Sequence, residues 1–269
     1  MSKETRQEEQ ETLKGLDMAP TLDFYKKMDI QFPEIQKQDL PAHVALLNPE
    51  NLELTEEELG GLLALFPKNA RARSILSKIE CLPSLWVQES STEEHREVTT
   101  EPQDAISDTT IVPSKIEYPN WGEATKTGSI KLFRIPETAA SEDVRRIVTA
   151  QGFIHEVAHS IAITAMKCTE NLRMNGEEVD GFDKIIEFAN LTENLAAISH
   201  YASTYRAPDG TFNNNLTAIS EELAETIAAY LLGFVYCEDS KRKLDPFIDR
   251  PKVRKFIQDF LNAELVSRQ

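Results

Sequence analysis

The sequence predicts an α+β protein in which a mainly helical N-terminal section precedes a domain with a small sheet and long helices. Three observations carry this expectation. Residues 56–66 and 70–81 place apolar side chains at helical intervals, residues 115–118 and 129–135 alternate in the manner of strands, and residues 141–161, 217–236 and 252–266 return to helical spacing. With 269 residues, 41% of them hydrophobic, the chain can bury a core without staples.

Residues 1–20 are polar and glutamate-rich, the composition of a disordered terminus. The section 21–87 is expected to be helical. Within it, Thr55-Glu56-Glu57-Glu58 has the pattern of a capped, acidic first turn, followed by Leu59, Leu62, Leu63 and Leu65 until Pro67 stops the helix. A second helix over 70–81 carries Ile75, Leu76 and Ile79. Residues 88–110 are rich in Ser, Thr and Glu without apolar periodicity and form an acidic linker or loop.

The remaining stretch, 111–269, is expected to form the second domain. Its two predicted strands are separated by "PNWGEATKTG", residues 119–128, a turn-rich loop. Ser141-Glu142-Asp143 then opens a helix whose apolar positions are Val144, Ile147, Val148, Ile154, Val157, Ala158 and Ile161, with Gly152 as its weak point. The two later helices make the C-terminal part all-helical.

Charge and composition exclude several functions. The formal net charge is −16, and residues 1–110 alone carry 22 acids against 11 bases. Such a chain repels phosphate backbones, and with no basic patch it is not expected to bind nucleic acid. No run approaches the roughly 20 apolar residues that span a bilayer, and the N-terminus lacks the pattern of a signal peptide. Location is therefore expected to be cytoplasmic, or reached by a specialised export route. Cys81, Cys168 and Cys237 are odd in number and far apart, and read as buried thiols in a reducing compartment.

The chemistry lies in "FIHEVAHS", residues 153–160. On a helix, His155 and His159 stand one turn apart on one face, so both imidazoles can bind one zinc ion while Glu156 points towards its water. A catalytic zinc takes three protein ligands. The third is sought in "AISEELAETIAAY", residues 218–230, where Glu221 and Glu225 are four apart. Glu221 can complete the metal site, and Glu225 can hold the far nitrogen of a ligand histidine. Glu222, turned by about 100°, is expected to lie off the metal face and to tolerate alanine with little change in zinc binding.

The HEVAH segment with its Glu-x-x-x-Glu helix resembles the gluzincin metallopeptidases, which hold zinc through two histidines and a glutamate. "YAST", residues 201–204, followed by "EELAETIAAYL" is similar to the tyrosine and glutamate motifs of the lethal-factor-like branch. The resemblance implies a zincin-like fold for residues 111–269, peptide-bond hydrolysis of a peptide or protein substrate, Glu156 as general base and Tyr201 as stabiliser of the oxyanion. The stretch between the tyrosine motif and Glu221 is longer than that branch usually has, which leaves Tyr205 and His200 as alternatives to Tyr201. The resemblance also places "SIKLFRI", residues 129–135, as the sheet edge along which substrate lies. The alternative is a binding or regulatory protein of the same fold that cleaves nothing and acts through its acidic N-terminal section. Oligomeric state is not legible.

Overall fold

A computed structural model describes residues 35–67, 75–83, 122–124, 128–135, 137, 141–166, 171–213, 215–234 and 245–266. The expected disordered terminus 1–20, the acidic linker 88–110, the strand 115–118, Cys168 and Cys237 lie outside these residues.

The fold is α+β, with helices packed on a four-stranded mixed sheet. Strands β1 (Ala45–Leu47), β2 (Lys78–Leu82), β3 (Gly122–Ala124) and β4 (Ser129–Phe133) lie in the order β1-β2-β4-β3. The first three in that order run parallel, and β3 runs antiparallel to β4. Side-chain alternation explains the register. Ile79 and Cys81 of β2 stand beside Ile130 and Leu132 of β4, and all four are buried in the core. The Cys81 thiol is pushed up to about 12, chiefly by burial, so it behaves as an inert apolar side chain.

Several expectations are corrected here. Residues 78–82 form a strand instead of the end of a helix, because alternate burial across the sheet satisfies "KIECL" better than one helix face would. Among the described residues of the section 21–87, β1 and β2 join the sheet beside α1, and their side chains share the core of the later residues. Among the described strands, β4, from "SIKLFRI", is interior; the edges are β1 and β3, and β3 lies inside the stretch expected to be loop.

Helix α1 (Glu56–Leu63) begins as expected. Thr55 Oγ1 accepts from the Glu58 N–H, and the Glu58 carboxylate accepts from the Thr55 N–H. The same carboxylate pairs with Arg146 at 2.6 Å, and Glu53 pairs with Arg145 at 2.9 Å. These contacts tie α1 and the turn before it to α2 (Glu142–Met166), a 25-residue helix that runs unbroken through Gly152. Phe153, Ile154, Val157, Ala158 and Ile161 are buried along it.

A hairpin follows that the periodicity did not announce. Strands β5 (Asn171–Met174) and β6 (Glu177–Asp180) are joined by Asn175 and Gly176, with φ of 52° and 86°. Two consecutive positive φ values are what a two-residue turn needs to match strand twist, and the Asn-Gly pair was the readable signal. Helix α3 (Gly181–Thr192) comes next, then the short α4 (His200–Ser203) and α5 (Leu216–Leu232). Helix α5 is shorter than expected because Gly233, at φ 78°, turns the chain out of it.

Helix α6 (Pro251–Leu261) also stops early, and residues 264–266 form β7, which pairs antiparallel with β5. The C-terminal part is therefore not all-helical; it closes a second sheet in the order β6-β5-β7. No helix among the described residues is long and apolar enough to cross a membrane.

The hairpin turn can be tested directly. Gly176→Ala forces a side chain into the left-handed region, at a cost of about 1–2 kcal/mol. Each kcal/mol should lower the thermal midpoint by about 2–4 °C; an unchanged midpoint would remove the tight turn.

Candidate metal centre

Helix α2 packs along α5, and this packing brings the two halves of the site together. One turn of α2 separates His155 from His159, whose rings meet edge to face at 4.5 Å. From α5, Glu221 Oε2 lies 3.3 Å from the Nε2 of both histidines. One ligand atom from each of the three residues lies within 4.8 Å of the others, so the group can hold a metal ion.

The far nitrogens are also held. Glu225 Oε1 is 2.8 Å from His155 Nδ1, as the one-turn spacing from Glu221 led us to expect. With His155 Nδ1 directed at this carboxylate, Nε2 is the ring nitrogen turned inward to Glu221, and its lone pair becomes available to a metal ion when the Nε2 proton is lost. The His159 Nδ1 partner is Ser220 Oγ at 3.0 Å. Sequence reasoning missed Ser220, since nothing local marks a serine 61 positions away as a histidine partner.

The donor set fits a divalent cation. Two imidazole nitrogens and a carboxylate oxygen converge, with the carboxylates of Glu156 and Glu225 nearby and buried. Without a cation, protons must offset this charge. Burial alone would lower the His155 pKa, yet hydrogen bonds to Glu221 and Glu225 carry it well above the ordinary histidine value. Burial alone would raise that of Glu221, and its bonds to His155 and His159 instead hold it down at about 2. A metal ion can replace that shared positive charge.

Glu156 leaves the same helix one residue after His155 and turns towards the sheet edge. The Ala124 N–H of β3 donates to its carboxylate. Burial raises its pKa, opposed by His155 and His159. Gly122 makes this position possible, because a Cβ there would stand 2.4 Å from Glu156 Cγ and 2.8 Å from Oε1. That requirement was not legible in the sequence, where Gly122 read as a loop residue.

Tyr201, on α4, sets its ring edge against His155 at a centroid distance of 5.7 Å. Its hydroxyl pairs with that of Tyr205 at 2.8 Å. Burial, with Glu221 nearby, raises the Tyr201 pKa far above the ordinary phenol value, so the hydroxyl stays protonated. The side chain of His200 lies outside the described residues, and His43 is exposed away from the centre. Glu222 does lie off the metal face. It is not a solvated position, however: it is fully buried, 3.1 Å from Arg206.

Compared with known proteins, the chain matches no family model, and no curated protein or solved structure matches it significantly. The chemistry of the centre therefore rests on its own geometry.

Titration with a divalent cation should separate the roles. His155→Ala and Glu221→Ala should lose most binding, and Glu225→Ala should weaken it by about 10–100-fold. Because the raised His155 pKa makes protons compete, affinity should rise with pH through neutrality and binding should release protons. Equal binding by the wild type and His155→Ala would remove the site.

Proposed function

We propose that the protein is a zinc-dependent peptidase of the gluzincin type, hydrolysing peptide bonds in an extended peptide or protein segment. The observation that carries this reading is the convergence of His155, His159 and Glu221 on one point, with Glu156 held beside it against a sheet edge. A plain metal-storage or structural site needs no such carboxylate. Two imidazoles and a carboxylate suit zinc, whose catalytic sites take three protein ligands and keep one position open.

Bound there, zinc would supply Lewis acidity, acidifying water and polarising a carbonyl. The chain's own residues do the rest. Glu156 accepts the proton of the attacking water and delivers it to the departing amine, and a burial-raised pKa suits a group that must both take and give a proton near neutrality. Tyr201, kept protonated, donates its hydroxyl hydrogen bond to the oxyanion. Tyr205 holds the Tyr201 hydroxyl from the other side. Substrate pairs as an added strand along β3, which leads its backbone past Glu156.

Two substitutions isolate the base. Glu156→Gln should retain zinc and reduce peptide hydrolysis by about 100–10,000-fold. Gly122→Ala should also retain zinc yet lose activity, since the new methyl displaces the carboxylate. Wild-type protein that binds zinc but cleaves nothing in a peptide library would instead identify a binding protein.

The two phenols are separable by the same assay. Tyr201→Phe should lower kcat by about 100–1,000-fold, the usual effect of losing an oxyanion donor, with zinc retained. Tyr205→Phe should cost less, because it removes only the partner. The reverse order would assign the oxyanion to Tyr205.

A further inference from the structure

The acid beside the metal ligand has a different task. Glu222 follows Glu221 on α5 and is fully buried. Its Oε1 accepts from the Ile198 N–H at 2.8 Å and forms an ion pair with Arg206 Nη2 at 3.1 Å. Arg206 Nη1 donates to the carbonyls of Leu195 at 2.8 Å and Gly210 at 3.1 Å. Its guanidinium lies 4.4 Å from the centroid of the Phe212 ring.

Ile198 and Arg206 bracket α4 and both phenols. A four-residue helix cannot hold itself in place. Its N-cap, Ser199 Oγ accepting from the Ala202 N–H, fixes only the local turn. A single carboxylate oxygen on α5 thus grips both ends of the tyrosine segment, one residue from the atom that faces the histidines.

We propose that Glu222 and Arg206 are a positioning pair that sets the Tyr201 hydroxyl relative to the metal centre. The proposal rests on the peptidase reading above. A buried ion pair is a poor device for stability alone, because apolar residues of similar size usually do as well. Here Glu222 Oε2 and Arg206 Nε are buried without a hydrogen-bond partner among the described residues. The pair is thus incompletely compensated, and what it supplies is a directional link between two elements.

The test uses Glu222→Gln and, because a lone buried guanidinium can prevent folding, the double variant Glu222→Gln with Arg206→Met. Three quantities are measured on the full chain: zinc affinity, kcat and KM for a cleaved peptide, and hydrogen exchange. The double variant should keep zinc affinity and KM, lose about tenfold or more in kcat, and exchange faster over residues 193–213 but not over α2. In a Tyr201→Phe background the same double change should cause little further loss of kcat, since the hydroxyl it positions is gone. An equal loss in both backgrounds, a loss of zinc together with kcat, or unaltered exchange over 193–213 would overturn the proposal. The exchange measurement needs no turnover, so failure of the clamp is distinguishable from failure of the peptidase reading.

Discussion

The packing of α2 against α5 is the constraint on which the rest of the structure depends. His155 and His159 come from one helix and Glu221, Glu225 and Ser220 from the other, so every distance in the centre is set by how those two helices lie together. The apolar residues on the faces that carry the metal residues, Ala158 and Ala162 on α2 and Ala224 and Ala228 on α5, are all buried. Small side chains among them allow close approach. A cavity in this layer would act on the site as directly as a change to a ligand.

Helix α5 distributes three acids by rotation alone. Glu221 and Glu225, four apart, share the face towards α2, while Glu222, about 100° round, faces the segment that carries the phenols. Each acid then meets a different counterpart: the two histidines, His155 Nδ1, and Arg206 with the Ile198 N–H. Buried carboxylates are costly unless their charge is met. The spacing of the counterparts therefore explains why "EELAE" is tolerated in a helix whose other side chains are mainly apolar.

At the sheet edge the limiting quantity is space. Strand β3 has three residues and runs antiparallel to β4, which places Gly122 and the Ala124 N–H against Glu156. The missing side chain and the backbone donor act together: one admits the carboxylate and the other orients it.

The sequence by itself determined what a helix repeat or a cap can determine. The one-turn spacing of His155 and His159, the matching pair Glu221 and Glu225, and the Thr55–Glu58 capping box all follow from local geometry and are present as read. The Asn175–Gly176 pair carried a local signal of the same kind, which the search for periodicity passed over. Tertiary structure alone decided which strands are the edges, that residues 78–82 join the sheet, and that Ser220, Gly122 and Arg206 belong to the centre or its support. Those assignments join residues up to 61 positions apart, as with His159 and Ser220. A hydroxyl, a glycine or an arginine carries no periodic signal for its distant partner; only the packed helices and sheet, which fix both ends in space, supply it.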